Sequence, residues 1–581
     1  MSSSKKIGEI RRTQLVTTFG IGSIVDLLNY SVMIGGQEDW KNLENISEER
    51  LQNKLQIQDI KQPKPISDES HTAIPNVPGI RFPEWHMCSN CKRLAHIDAF
   101  GGYDRKRCIC VRSRRQPLTP TRFVIACKKG HIDDFPWIWW THRGSVCENP
   151  RLTINQTGRS TSISDIKVSC NNPDCSAFRS LSGIFYSTAF TKYKCTGRRP
   201  WLHDKEDCDE IPVALQRSSA SVYFPVIESA LSVPPFSKKI YIFLRKYKSV
   251  IDYIPKENLP RFIEDKLKEE GESFQVEMVL KALKEKEDFK NKDVIQDLRP
   301  DEYLALCNPV DDEPDSDFYS KSSDVPSLLK DYISKIILVH RLREVNVLKG
   351  FTRINSESSL IAPLSSVKEN WLPGVEMNGE GIFIELRKEK LDEWKERGAS
   401  ALMKRVNLLE KRRRDIKASG KWTVMDNPVT SEFLLIHTIA HLLIQELTLE
   451  SGYSSASLKE RLYVSNPDEK DRAMHGFLIY TAASDSDGSL GGLVRQGLSN
   501  RFEQLFINTL HRSKWCSNDP LCIESSGQGL LSFNLSACHA CALLPETSCE
   551  LRNKNSFLDR GILFGSYEKK DIGYFNDLEL S

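Results

Sequence analysis

The chain has 581 residues, 39% of them hydrophobic, with 81 Lys and Arg against 78 Asp and Glu. That length predicts about three or four domains with a large buried core, and a net charge of +3 excludes a polycation of the histone kind. The start, 1–6, carries no charged segment followed by an apolar stretch and a cleavage site, so the expectation is a cytoplasmic chain with reduced cysteines.

In chain order, 1–44 reads as an ordered N-terminal segment, with Gln14, Thr17 and Thr18, a Gly-rich turn from Gly20 to Ser23 and a β-rich stretch at 30–34. Residues 45–80 lose apolar periodicity, contain Pro63, Pro65, Pro75 and Pro78, and are predicted to form an exposed connection. Two cysteine-bearing modules follow, a basic one at 81–150 and a second ribbon at 151–215. The region 216–400 is predicted to be α/β. Apolar residues recur at three- and four-residue steps around Phe262, Ile263, Leu267 and 276–283, as on charged helices. An acidic loop at 311–317 precedes a predicted helix at 327–344 and a buried strand at 379–386. Helices are predicted again at 388–396, 403–417 and 431–450, the last with Ser431 as N-cap, and 401–581 is read as a helical domain with a Cys-rich end. The most apolar segment, 433–447, is broken by His437, His441, Gln445 and Glu446, so no bilayer span is expected. No repeat longer than the cysteine pairs is evident. The expected class is mixed α/β and multidomain, with small β-rich zinc ribbons in the N-terminal half and a mostly helical C-terminal half ending in a four-cysteine zinc module.

Thirteen of the 16 cysteines fall into three clusters: Cys88, Cys91, Cys108 and Cys110; Cys170, Cys175, Cys195 and Cys208; and Cys516, Cys522, Cys538, Cys541 and Cys549. Thiolates from two short-range pairs can surround a tetrahedral cation, and such a site can contribute about 10 kcal/mol to folding a loop that lacks its own core. Two or three structural Zn²⁺ ions are therefore expected. In the first cluster Cys108 and Cys110 are separated by one residue where a zinc knuckle has two. Cys127 and His131, spaced like a finger's trailing ligands, offer a replacement for one of them. The second cluster is read as a self-contained four-cysteine ribbon, and the third has one cysteine too many.

Between 81 and 150 there are 13 Lys and Arg against 6 Asp and Glu. Arg105, Lys106, Arg107, Arg112, Arg114 and Arg115 crowd the first cluster and are the candidate contacts to nucleic-acid phosphates, with a plain solvated face as the alternative. Trp85, Phe123, Phe135, Trp137, Trp139 and Trp140 lie nearby and could stack on bases, although the tight group after Pro136 is better read as core. A second basic run, 411–414, sits in a charged helical pattern.

Signs of catalysis are few. The chain has no Gly-x-x-x-x-Gly-Lys-Ser/Thr loop, so no nucleotide is expected on it. Gly488 to Leu493 lacks the lysine and is read as a turn, with Asp485 and Asp487 beside it as an unproven Mg²⁺ site. His437 and His441 are spaced as on a metalloprotease helix, but Thr438 stands where that chemistry needs a glutamate; core histidines are the better reading. Glu380, Glu385 and Arg387 resemble a nuclease strand without its lysine.

Several strings carry a family resemblance: Gly8-Glu-Ile-Arg-Arg-Thr-Gln14, Thr17-Thr-Phe-Gly-Ile-Gly-Ser-Ile-Val-Asp26, Arg122-Phe-Val-Ile-Ala-Cys-Lys-Lys-Gly-His-Ile-Asp-Asp-Phe-Pro-Trp137, Gly379-Glu-Gly-Ile-Phe-Ile-Glu-Leu386, His437-Thr-Ile-Ala-His441, Gly452-Tyr-Ser-Ser-Ala-Ser-Leu-Lys-Glu-Arg461 and Ala537-Cys-His-Ala-Cys-Ala-Leu-Leu-Pro-Glu-Thr-Ser-Cys549. Together they resemble the DrmB family of bacterial DISARM anti-phage systems over nearly the whole chain. The resemblance implies a non-motor subunit that pairs with a DrmA-like helicase, in a complex that engages foreign DNA at the expense of ATP. The C-terminal part is similar to the zinc-binding module of MrfA-type helicases, whose four-cysteine pattern transfers best to Cys522, Cys538, Cys541 and Cys549, with Cys516 and His539 as competitors. The expected function is a zinc-stabilised, non-catalytic scaffold that binds the helicase and contacts DNA independently of sequence. The alternatives are a metal-dependent nuclease or hydrolase, or an adaptor that never touches nucleic acid.

Overall fold

The computed structural model describes residues 10–27, 30–65, 76–101, 107–111, 116–143, 145–156, 162–290, 293–356, 360–419, 425, 427–465, 473–481, 491–529, 531–551, 556–565 and 572–579. The chain divides into two compact units, one of 1–45, 59–228 and 346–375, the other of 46–58, 229–345 and 376–581. The architecture is mixed α/β, with strands dominating the N-terminal half and helices the C-terminal half.

The first unit is built on a seven-stranded sheet in the order Phe178–Ser180, Ile166–Cys170, Leu152–Gln156, Arg93–His96, Trp85–Cys88, Gln116–Pro120 and Arg107–Cys108. Every pairing in it is antiparallel. A second, three-stranded sheet pairs Phe123–Ala126 with Ile132–Asp134 and Val213–Gln216. Phe123-Val-Ile-Ala126 is buried at all four positions, which is why it reads as a continuous apolar run rather than an alternating one. The aromatic residues near it are core. Phe123, Phe135, Trp137, Trp140 and Phe190 pack together, with the Phe135 and Trp137 rings 4.6 Å apart, so these rings are not free to stack on bases. Arg353 is fully buried in this unit: its guanidinium donates to the carbonyls of Gly130 at 2.7 Å and Gly22 at 2.8 Å and lies over Phe351. Burial lowers its pKa to about 9.

Residues 43–65 differ from the expected exposed connection. They form the strand Leu43–Ile46, the helix Glu49–Leu55 and the strand Asp59–Pro63, with Ile46, Leu51 and Ile60 buried. Pro63 ends the strand and Pro65 lies just beyond it, where a missing N–H costs little, while 66–75 lie outside the described residues.

The second unit holds a sheet of 229–231, 333–345, 376–386, His475–Thr481 and Leu458–Val464, with Phe318–Ser323 paired to the second of these. The helix expected at 327–344 is instead a short turn, Ser327–Leu329, followed by the strand Ile333–Thr352. Ile333, Ile336, Ile337 and Val339 are all buried, and a β-branched run buried on both faces imitates helical periodicity. The expected helices at 388–396, 403–417 and 431–450 correspond to Lys388–Arg397, Ala399–Ala418 and Ser431–Ser451. The N-cap of the last is Thr430 rather than Ser431, its side chain accepting from Phe433 N; Gly452 closes the helix at φ 70°, the left-handed conformation glycine permits.

Helix Ser431–Ser451 sets the position of everything around it. Leu434, Leu435, Ile439, Leu442, Leu443 and Leu447 join Leu458, Phe477, Phe502 and Phe506 in the main core, so the helix is apolar all round because it is covered all round. It is also the one helix among the described residues long and apolar enough to cross a membrane, yet 78% of that apolar window is buried within the protein.

Candidate metal centres

Four sulfur-rich groups assemble among the described residues, each with its ligand atoms within 4.8 Å of one another. The first joins Cys88, at the end of strand Trp85–Cys88, with Cys91 in the following turn and with Cys108 and Cys110. Lys92 takes φ 60° and its N–H returns to the Cys88 carbonyl, closing a knuckle that points both thiols the same way. Sulfur separations are 3.8 Å for Cys88–Cys110 and 3.8 Å for Cys91–Cys108. A tetrahedron with Zn–S bonds of about 2.3 Å has edges of about 3.8 Å, whereas a disulfide needs about 2.05 Å. The one-residue spacing of Cys108 and Cys110 is no obstacle, since both reach the group.

Cys127 and His131 do not complete that group. They face each other across a tight hairpin turn, Sγ to Nδ1 3.3 Å, and meet Cys195 and Cys208, with Cys127–Cys208 at 4.0 Å and Cys195 Sγ–His131 Nδ1 at 3.7 Å. His131 Nε2 lies 2.7 Å from Glu206 Oε1, the carboxylate partner that orients a ligating imidazole. The four cysteines expected to form one ribbon are therefore split. Cys170 and Cys175 meet His142, at the end of helix Trp137–His142, and Cys147, with Cys147 Sγ 3.8 Å from Cys170 Sγ and 3.5 Å from His142 Nε2. His142 Nδ1 lies 2.9 Å from the Ile138 carbonyl, which leaves Nε2 free to face the sulfurs. Sequence reading missed His142 and Cys147; their five-residue spacing next to an aromatic helix was the available signal.

Gly130 makes the second group possible. Its φ is 88°, and a Cβ there would lie 2.5 Å from Ala362 Cβ. Gly130→Ala is expected to destabilise the protein by about 1–3 kcal/mol and to lower zinc occupancy at Cys127 and His131. Thermal unfolding with elemental analysis checks both, and an unchanged melting temperature contradicts the strained turn.

In the C-terminal part, Cys516, Cys522, Cys538 and Cys541 converge, with sulfur separations of 3.6 Å for Cys516–Cys538, 3.8 Å for Cys522–Cys541 and 3.8 Å for Cys538–Cys541. Cys516 takes the place assigned to Cys549, which lies elsewhere, 3.5 Å from His437 Nε2. Asn518 N–H and Nδ2 donate to Cys516 and Cys538 at 3.4 Å each, and Gln528 Nε2 to Cys522 at 3.5 Å, contacts that favour the thiolate form.

The electrostatics of these groups ask for a cation. The Cys195 thiol, and then His131, draw Cys127 down to about 4, while Cys195 itself is pushed up. Cys541 likewise draws Cys522 down to about 5 and is itself pushed up. In each pair ionisation of one sulfur raises its partner, so Cys195 and Cys541 hold their protons against it; a dication would take the place of that proton and let both sulfurs ligate.

Of the candidate DNA contacts, Arg107 is exposed on strand Arg107–Cys108, whereas Arg105, Lys106, Arg112, Arg114 and Arg115 lie outside the described residues. Asp485, Asp487 and the first half of the Gly488–Leu493 turn, 488–490, lie outside them too. In the run 411–414, Arg412 donates to the Ser526 and Ser532 carbonyls, and Arg413 pairs with Glu410 at 2.7 Å, so these two arginines serve the fold. Glu380 accepts from Leu493 N–H at 2.8 Å and Glu385 from Ser334 Oγ at 2.6 Å, each carboxylate with its own donors.

Comparison with known proteins matches residues 11–224, which span the first three groups, to a domain of unknown function, DUF8724. Residues 439–542 match the MrfA Zn-binding domain and contain all four cysteines of the C-terminal group. A DISARM protein DrmB from Bacillus paralicheniformis is 32% identical over 581 residues, covering 95% of this chain and 100% of the relative. The sulfur geometry and the zinc-domain match agree: the chain carries structural zinc sites.

Proposed function

The chain belongs to the DrmB family of DISARM proteins, and from that premise we propose that it is a zinc-stabilised, non-motor subunit of a cytoplasmic anti-phage complex. In this reading it binds a DrmA-like helicase and lends phosphate contacts to the DNA path. Each of the four sulfur-rich groups takes one Zn²⁺ through its three or four thiolates, with His131 and His142 completing the second and third. Bound zinc supplies a fixed positive charge and four-fold cross-linking, and the surrounding amides and Glu206 orient the ligands. The observation that carries the reading is kinship over 95% of this chain and 100% of the relative, joined to four sulfur-rich groups of tetrahedral dimensions. No phosphate-cradling lysine loop is present in the sequence, which supports assigning ATP hydrolysis to the partner. Contacts to phosphates carry no base information, which suits defence against varied genomes.

Replacing Arg105, Lys106, Arg107, Arg112, Arg114 and Arg115 with alanine tests the DNA contacts. The wild-type affinity for duplex DNA should fall with salt at a slope of about −0.9 per phosphate neutralised, and the variant should bind more weakly with a shallower slope while still co-eluting with the helicase. Helicase binding without salt-dependent DNA affinity in the wild type would favour a pure adaptor. Mg²⁺- or Mn²⁺-dependent DNA degradation by the purified chain, lost in Glu380→Gln/Glu385→Gln, would favour a nuclease.

A further inference from the structure

A fifth group lies inside the second unit, away from any surface. His437 and His441 project from helix Ser431–Ser451, Glu460 from strand Leu458–Val464, and Cys549 from the segment beyond the C-terminal cysteines. All four are buried, the two histidines completely and Glu460 and Cys549 to within 3%. Spacing along the sequence makes the histidines ordinary core residues and Cys549 a ligand of the neighbouring four-cysteine group.

The pattern of lone pairs argues against ordinary core. His441 Nδ1 lies 2.9 Å from the Ala542 carbonyl. A carbonyl only accepts, so Nδ1 carries a proton and Nε2 of the neutral ring presents a bare lone pair. That lone pair faces Glu460 Oε1 at 3.3 Å. His437 Nε2 faces the same oxygen at 2.9 Å and Cys549 Sγ at 3.5 Å. Oε1 already accepts the Glu550 N–H at 3.1 Å. Among the described residues, His437 Nδ1, His441 Nε2 and Glu460 Oε2 have no hydrogen-bond partner, although a buried polar atom is rarely left in that state. Two imidazoles, a carboxylate and a thiol thus aim electron pairs at one small buried volume, and no described Lys or Arg is paired with them.

We propose that His437, His441, Glu460 and Cys549 form a further structural metal site, a closed centre for Zn²⁺ with two histidine ligands, one glutamate and one cysteine. Two imidazoles, one carboxylate oxygen and one thiolate make a tetrahedral set suited to this ion, and complete burial leaves no open position for a reacting water. The hydrogen bond from His441 to Ala542 is the outer contact that fixes a ligating imidazole, and Ala542 directly follows Cys541, so the loop of the four-cysteine group orients a ligand of this one. The Ser548 carbonyl accepts the Glu460 N–H at 3.0 Å, which holds the strand beside Cys549. The metal ties helix, strand and C-terminal segment together at a point where three separate stretches of chain meet. This inference is independent of any DNA or helicase contact.

The test is the zinc content of the full-length chain, purified and freed of loosely held metal, by elemental analysis and native mass spectrometry. With the four sulfur-rich groups filled, wild type should carry five ions, and Cys549→Ala and Glu460→Gln should each carry one fewer while keeping the wild-type circular dichroism. A folded Cys549→Ala chain with undiminished zinc overturns the proposal. Where neither single variant folds, the wild-type count decides: five ions support the site and four or fewer overturn it.

Discussion

A chain carrying Cys538→Ser and Cys541→Ser is expected to lose one zinc ion and the ordered structure of 516–541. No regular helix or strand is assigned among the described residues between Ser513 and Gly561, so this stretch has little hydrogen-bonded structure of its own to fall back on. In zinc-finger peptides the metal supplies about 10–16 kcal/mol of folding free energy. Cys516, Cys522 and Cys541 also belong to the main core, in contact range of the cluster that holds Phe533, Leu535 and Ala542. Loss of the ion therefore uncovers apolar surface beside helix Ser431–Ser451, and the damage should spread beyond the loop. Elemental analysis and limited proteolysis read the two effects; full zinc content in the double variant would refute the four-cysteine assignment. Chelation of the wild type at neutral pH should reproduce the proteolytic pattern, since without the cation the four sulfurs lose the common partner that holds them together.

The second large effect is expected from Arg461→Met. Arg461 forks onto Glu302, with Nε to Oε2 at 2.7 Å and Nη2 to Oε1 at 2.7 Å, and both side chains are buried. Glu302 also accepts from Leu231 N–H at 3.1 Å and from Tyr463 at 3.2 Å. Removing the guanidinium leaves a buried carboxylate without its counter-charge, a loss of about 3–5 kcal/mol. Adding Glu302→Gln should recover much of it, because the uncompensated charge goes with it. In the wild type, burial acts to raise the Glu302 pKa, but Arg461 and then Arg299 outweigh it and hold the carboxyl below its usual range. That contribution is present above the unfolded pKa and lost as pH falls through the lowered folded value. In the variant burial prevails, the folded value rises above the unfolded one, and stability is lost as pH rises instead. The gap between the two proteins should therefore be widest at pH 7–8 and close as the pH falls toward the ordinary carboxylate range, about 4. Chemical denaturation at several pH values measures it, and a gap independent of pH would show that Glu302 is not the group left uncompensated.

Local patterns were legible where a single stretch of chain decides the outcome. Helices Lys388–Arg397, Ala399–Ala418 and Ser431–Ser451 follow from spacing along one segment. The strand Ile333–Thr352 does not: its isoleucines satisfy helical and buried-strand patterns alike, and only pairing with distant strands, Phe318–Ser323 among them, separates them. The connection expected at 45–80 failed in its described part for a related reason. Polar residues such as Glu48 and Glu49 are buried there because partners from distant segments satisfy them, Ser232 at 2.7 Å and Lys286 at 2.6 Å.

By itself the amino-acid sequence determined which residues would bind metal in type and in local pairs. Cys88 with Cys91, Cys127 with His131, Cys170 with Cys175, and Cys538 with Cys541 each stay together, because a turn of a few residues holds two side chains at ligand distance whatever the rest of the chain does. Tertiary structure alone decided which pairs share a centre. Cys127 and Cys208 are 81 residues apart, and His437 and Cys549 are 112 apart, and such partners are chosen by the order of strands in a sheet and by the helix that carries them. A short spacing restricts two ligands to one neighbourhood, but a tetrahedron has four corners, and the remaining two are filled by whatever the fold brings alongside.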